Sequence, residues 1–151
     1  MTPPAHYLFR CASCRTRNRI PADHAGQPGK CGKCGFALKT SELFVPQPIM
    51  ITDANFEEKV LRSPVPVLMD CWAPWCSACK MVGPIISELA AEFKGVFRIG
   101  KLNVDTNPQT STRFDTRSIP TLLIFDNGQL KDTLVGAMPK PEIVRRMQPF
   151  L

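Results

Sequence analysis

The sequence predicts an α/β architecture, a central mixed sheet flanked by helices, preceded by a small module held together by metal. Three observations carry this. After residue 48 the apolar residues alternate between strand-like runs and helical spacing, giving a parallel βαβ start and an antiparallel hairpin-and-helix finish. Four of the seven cysteines fall within the first 34 residues, as two CxxC pairs. Charge divides at the same place: of the formal +6, residues 1–45 carry +5 and the remaining 106 carry +1.

At 151 residues, 44% hydrophobic and 21% charged, the chain has the make-up of a soluble globular protein, which excludes disorder and collagen-like repeats. One domain at 46–151 behind a small module at 1–45 is expected. No apolar run approaches the ~18–20 residues of a membrane-spanning helix. The opening MTPPAHYLFRCASC has neither the basic nor the apolar region of an export signal. A cytoplasmic location and no membrane partner follow as expectations. In that reducing compartment cysteines serve as metal ligands, catalytic thiols or buried apolar residues rather than as a disulfide framework.

The N-terminal cysteines read C-x2-C-x16-C-x2-C, with Cys11, Cys14, Cys31 and Cys34, a spacing that suits one structural Zn2+. Each pair lets a tight turn aim two sulfurs at one point, and two such knuckles close a tetrahedral shell. Gly32 and Gly35 suit the turn of the second knuckle. A piece this short needs such a staple, having too little core of its own. The alternative reading, two independent redox pairs, is the weaker. His6 and His24 could replace a cysteine, but four thiolates already complete the shell. The stretch between the pairs reads as a strand edge and a Pro/Gly loop, similar to a zinc ribbon. Arg15, Arg17 and Arg19 alternate, so they could share one strand face and meet phosphates. No aromatic residues interleave for base stacking. A solvated or protein-docking face is therefore expected, and nucleic acid is not an expected partner.

The elements of the body follow in order. Residues 40–48, with Pro46 and Pro48, read as a linker. Residues 49–51 form a short strand, and 55–61 a first helix with Asp53 as its N-cap. Residues 65–72 are an apolar run bounded by prolines, suited to a buried central strand. Residues 76–93 show helical spacing through Met81, Val82, Ile85, Ile86, Leu89 and Phe93, with Pro84 predicting a kink. Residues 97–104 make another strand, and 108–114 a short helix with proline in its first turn. Residues 121–125 and 129–135 flank Asp126-Asn127-Gly128, a hairpin signal. Residues 142–147 close the chain as a helix ended by Pro149.

The chemistry concentrates at Trp75-Cys76-Ser77-Ala78-Cys79-Lys80, where the buried strand hands over to the long helix. Cys76 falls at the helix N-terminus, where free N–H groups and the helix dipole favour an anion. That supplies the thiolate, which is the attacking species. Cys79 lies one turn on and more shielded. Cys76 is thus expected to attack a substrate disulfide, and Cys79 to resolve the mixed disulfide. No organic cofactor is needed for this exchange.

Val67 to Lys80, Lys101-Leu-Asn-Val-Asp105, Ser118-Ile-Pro-Thr121 and Val135-Gly-Ala137 resemble the thioredoxin family in order and spacing. With the four-cysteine module in front, the whole chain resembles that family's zinc-binding bacterial branch. The resemblance implies a thioredoxin fold and protein-disulfide reductase activity. It implies re-reduction by thioredoxin reductase with NADPH. Disulfide-forming clients such as ribonucleotide reductase, methionine sulfoxide reductase and peroxiredoxins are implied as partners. It also implies that Asp70 is the buried carboxylate that takes the Cys79 proton, with Lys101 its partner. Pro120 matches the family's cis-proline, and Trp75, Ile119, Gly136 and Ala137 its shallow apolar client surface. A monomer is expected. Trp72, Met81 and Val82 are expected in the core and Lys80 in solvent.

Two departures from the family stand out. Ser77-Ala78 replaces the usual Gly-Pro, and a Ser77 hydroxyl bonded to a thiolate would make the pair a weaker reductant. Cys71 stands where an aromatic is usual. Strand alternation puts it opposite Asp70, as a buried inert thiol rather than a regulatory one. Two further readings remain. One is a disulfide isomerase or oxidant. The other is a redox-controlled binding module whose four zinc cysteines release metal on oxidation.

Overall fold

The computed structural model describes residues 4–151. The first cysteine pair sits in the turn between β1 (His6–Arg10) and β2 (Arg17–Pro21), and the second between β3 (Gly29–Lys30) and β4 (Ala37–Leu38). Both strand pairs are antiparallel. Gly35 follows the second knuckle in the left-handed region, φ +77°. Arg15 makes the same step after the first, φ +65°, and each donates its N–H to the first cysteine's carbonyl.

Residues 40–48 are not a free linker. Ser41–Phe44 forms a helical turn that buries Leu43. Phe44 meets Tyr7 and Phe9 edge-on, with ring centroids 5.0 and 6.2 Å apart. Gly95 donates its N–H to the Leu43 carbonyl at 2.7 Å, and a Cβ there would collide with the rings of Phe44 and Tyr7. The proline-rich composition is local, whereas these contacts are long-range. Arg15 also departs from expectation. Arg17 and Arg19 are exposed on β2, but the Arg15 guanidinium reaches across to Asn127 Oδ1 and the Ser63 carbonyl, both at 3.0 Å.

The body is one five-stranded mixed sheet. Its strands are β5 (Ile49–Ile51), β6 (Val67–Trp72), β7 (Arg98–Asn103), β8 (Thr121–Asp126) and β9 (Gln129–Val135), in the order β5-β7-β6-β8-β9. β5–β7 and β6–β7 are parallel, and β6–β8 and β8–β9 antiparallel. The hairpin turn holds Asn127 at φ +51° and Gly128 at φ +77°, the paired left-handed step that matches strand twist. Three helices accompany the sheet: α1 (Ser77–Glu92), α2 (Pro108–Arg113) and α3 (Lys140–Met147).

Alternation along the strands makes two cores. On one face Leu68, Ile99, Leu122 and Ile124 are buried with Val82, Ile86 and Leu89 of α1 and Ile143 and Met147 of α3. On the other Val67, Met69, Cys71, Leu102 and Phe125 pack with Phe56 and Val60. Burial of each such aliphatic side chain contributes roughly 2 kcal/mol before entropy is charged against it. Met81, expected in the core, is 71% exposed; it lies about 100° round the helix from Val82, off the buried stripe. Trp72 is only half-buried.

The first helix of the body also differs. Thr52 and Asn55 cap each other, Thr52 N–H to Asn55 Oδ1 at 2.7 Å and Asn55 N–H to Thr52 Oγ1 at 3.2 Å. The chain then winds into a wide turn, Glu57–Leu61, closed by Arg62 N–H to the Glu57 carbonyl, five residues back. Asp53 does not cap it. Its carboxylate accepts from the N–H groups of Gln109 (3.2 Å) and Thr110 (2.8 Å) and from the Thr110 hydroxyl (2.7 Å), capping α2 instead. At the C-terminus α3 ends at Met147, as the proline at 149 predicts, and the chain finishes in a separate helical turn over Gln148–Phe150. Pro84 lies inside α1, which runs unbroken from Ser77 to Glu92.

Candidate active site and metal centre

The carboxyl end of β6 and the start of α1 bring the redox pair together. Cys76 is the N-cap of α1, and its sulfur accepts the Cys79 N–H at 3.2 Å. Cys76 and Cys79 form a disulfide, with Cα atoms 5.3 Å apart, and both are buried. Ser77, expected to offer its hydroxyl to a thiolate, is exposed in this oxidised form. Trp75 beside the pair is 69% exposed, a large apolar ring in open solvent. Its indole N–H donates to Asp105, at 3.0 Å to Oδ2. Asp105 is a contact the sequence reasoning did not assign, although it lies in the Lys101–Asp105 motif.

Strand register places the other candidates at the same end of the sheet. Thr121 pairs with Cys71 on β6 and with Val135 on β9, so Pro120 and Gly136 lie one step beyond, level with Trp72. The Ile119–Pro120 bond is cis. Gly136, at φ +90°, donates its N–H to the Pro120 carbonyl at 2.8 Å. Ala137 is exposed, while Ile119 is half-buried against the second core. Trp75, in the connection from β6 to α1, opens at this same end of the sheet.

Asp70 lies within β6, 1% exposed, and neither carboxylate oxygen has a hydrogen-bond partner. Burial pushes its pKa up to about 6, against the opposing pull of the Lys101 charge. Lys101 lies across from Asp70 in the β6–β7 register. Its ammonium rests on Trp72, 4.7 Å from the ring centroid. Cys71 points to the opposite face, fully buried, and burial pushes its thiol up to about 12.

Among the described residues, Cys11, Cys14, Cys31 and Cys34 form a metal-suited cluster, with all four sulfurs within 4.8 Å of one another. Cys11–Cys34 and Cys14–Cys31 sulfurs stand 3.5 and 3.6 Å apart. A tetrahedral zinc–thiolate shell requires about 3.8 Å between sulfurs, so the donor set fits that ion. Backbone N–H groups of Ser13 and Lys33 point at the Cys11 and Cys31 sulfurs, at 3.3 and 3.4 Å, and stabilise thiolates. His6 and His24 stand apart from the cluster, both exposed.

Comparison with known proteins agrees with this geometry. A thioredoxin family model matches residues 47–149, and a model described as Thioredoxin 2, N-terminal, a zinc ribbon, matches residues 10–35. The chain is 53% identical over 93 residues to a thioredoxin of Haemophilus influenzae, covering 62% of this chain and 87% of that protein. It is 46% identical over 101 residues to a thioredoxin of Synechocystis, covering 67% and 94%. It is 44% identical over 102 residues to a chloroplastic thioredoxin M-type of Pisum sativum, covering 68% and 59%. The chain therefore belongs to the thioredoxin family, as a protein-disulfide oxidoreductase that carries an amino-terminal zinc ribbon of the Thioredoxin 2 type.

Proposed function

We propose that the protein is a cytoplasmic, monomeric protein-disulfide reductase, re-reduced by thioredoxin reductase at the expense of NADPH. Its clients are enzymes that form a disulfide in turnover, of the kind represented by ribonucleotide reductase, methionine sulfoxide reductase and peroxiredoxins. The observation that carries the reading is the Cys76–Cys79 disulfide at the N-terminus of α1 with a bare, buried carboxylate, Asp70, behind it.

The chemistry follows from the placement. In the dithiol form Cys76, facing the free N–H groups of α1, ionises first. Its thiolate attacks one sulfur of a client disulfide, and the other client sulfur leaves with the bonding pair and takes up a proton. Cys79 then gives its proton to Asp70 and attacks Cys76 Sγ, releasing the second client thiolate. The client gains two electrons and the Cys76–Cys79 pair loses two. Lys101 tunes Asp70. Pro120, through its backbone, and Trp75, Ile119, Gly136 and Ala137, through apolar contact, hold the extended client segment. Residues 1–45 form a module organised by one structural zinc on Cys11, Cys14, Cys31 and Cys34, and 46–151 the catalytic domain.

Equilibration of the zinc-loaded protein with glutathione buffers tests the direction of electron flow. A midpoint well below the glutathione poise is expected. A midpoint well above it would make the protein an oxidant or isomerase and end the reductase reading.

A further inference from the structure

Asp70, Trp72 and Lys101 share the face of the sheet beneath α1, since Leu68 and Ile99, at the same alternation, are buried against that helix. A lysine directly across from a bare buried carboxylate is placed to close an ion pair, because an unpaired buried charge is costly. Here the pair does not close. Both Asp70 oxygens lack a partner, and the Lys101 ammonium lies on Trp72 at 4.7 Å, within the ~6 Å reach of cation–π attraction. A cavity of about 140 Å³, lined among others by Trp72, Cys79, Lys80, Gly83 and Lys101, brings the Trp72–Lys101 contact to the resolving cysteine.

We propose that Trp72 is a positioning residue, whose ring holds the Lys101 ammonium off Asp70 and so keeps that carboxylate free to accept the Cys79 proton. The proposal rests on the reading of Asp70 as the base for Cys79. A closed ion pair would stabilise the carboxylate and weaken it as a base; loss of the lysine charge would leave it reluctant to ionise at all. With the ammonium parked on the ring, Asp70 lies between these limits. Across from Asp70, β7 brings Lys101 and β8 places Leu122 in register; Cys79 and Lys80 of α1 line the cavity that Trp72 and Lys101 share, and Cys71 points away. The proton passes from Cys79 Sγ to an Asp70 oxygen. The new thiolate forms the S–S bond to Cys76 as the bond from Cys76 to the client breaks, the client sulfur leaving with its electron pair.

Direct titration of the Asp70 carboxyl by carbon NMR, in the reduced, zinc-loaded full chain, tests this. Trp72→Leu is expected to lower the midpoint by about one pH unit, as Lys101 closes on Asp70. Trp72→Phe, with a weaker ring, is expected to lower it less. Lys101→Met is expected to raise the midpoint, and in that background neither tryptophan substitution should lower it. An unchanged or raised midpoint in Trp72→Leu, or an equal fall without Lys101, overturns the proposal. Should Trp72→Leu fail to fold, Trp72→Phe with and without Lys101→Met gives the same comparison. The underlying reading fails separately, if Asp70→Asn resolves a mixed disulfide at the parental rate and pH dependence while the titrations behave as described.

Discussion

Asp70 is expected to cost the protein stability at the pH where its buried carboxyl is charged. Its carboxyl is held near pKa 6 by burial, against about 4 in an unfolded chain. A group whose folded pKa is raised contributes its stability below the unfolded value and loses it as pH rises through the folded one. Asp70→Asn is therefore expected to exceed the parent in stability by up to about 3 kcal/mol at pH 8, with the gap closed near pH 4. Urea unfolding at both values measures it; an equal gap at both means the carboxylate is not the cause. Cys71 offers a contrast at the next residue. Fully buried, with a thiol pushed up to about 12, it should resist alkylation in the native reduced protein at pH 8 while Cys76 is labelled. Labelling of the two at equal rates would make Cys71 a reactive thiol. Both residues were legible in the sequence, an acid and a thiol on opposite faces of an apolar strand. Arg15 was not, because its partners Ser63 and Asn127 lie 48 and 112 residues away. Met81 was misread because helical spacing marks a stripe without marking its edge.

At the scale of elements, the strands of the body could be read almost to the residue from apolar runs and the turn signals that bound them, since a central strand buried on both faces is apolar nearly throughout. Helix starts were less legible, because a cap is a tertiary choice whenever several polar residues compete. Thr52, Asp53 and Asn55 all suit the start of the first helix. Thr52 and Asn55 take that role, and Asp53 serves α2 across the fold. Hydrogen bonds to Thr110 hold the Asp53 carboxyl below the usual carboxylate range. Its contribution is thus present above the unfolded pKa and lost as pH falls through the depressed one. Asp53→Ala is expected to lower the thermal midpoint at pH 7 and to lower it progressively less below about pH 4. A loss that stays constant with pH would show that packing, not capping, is at stake. The first turn of α1 carries its own test. Proline at Ala78 would stiffen it, and removal of Ser77 would withdraw a hydroxyl from the nascent thiolate. Replacing Ser77-Ala78 by Gly-Pro should lower the reduction potential by roughly 30 mV, or about tenfold in the exchange equilibrium. No change on that swap would free the dipeptide of any role in the poise.

Across the whole molecule, the ribbon and the sheet are joined by contacts in which the first knuckle, Arg15 and the β8–β9 turn are linked in series. Zinc on Cys11 and Cys14 would fix the turn that ends in Arg15 at φ +65°, where the N–H of Arg15 is already held by the Cys11 carbonyl at 3.0 Å. That backbone angle aims the guanidinium at Asn127, in the β8–β9 turn, and at Ser63. Arg10 adds a backbone bond to the Pro64 carbonyl at 2.8 Å, and the Tyr7, Phe9 and Phe44 rings seal the joint without metal. The two attachments should therefore separate on chelation. Structural zinc typically supplies ~10–16 kcal/mol to a small module, so its removal should open the knuckles, while the aromatic joint keeps β1 against the body. Hydrogen exchange on chelated protein is expected to speed up at residues 11–16 and 31–36 and, through Arg15, at 126–128. β6 to β8 should stay protected, and disulfide reduction should persist. Arg15→Gly, which suits the left-handed backbone but lacks the side chain, should expose 126–128 even with zinc bound. If chelation leaves 126–128 as protected as before, the knuckle and the hairpin are independent. If it unprotects β6 to β8 as well, metal binding and the catalytic fold are one cooperative unit.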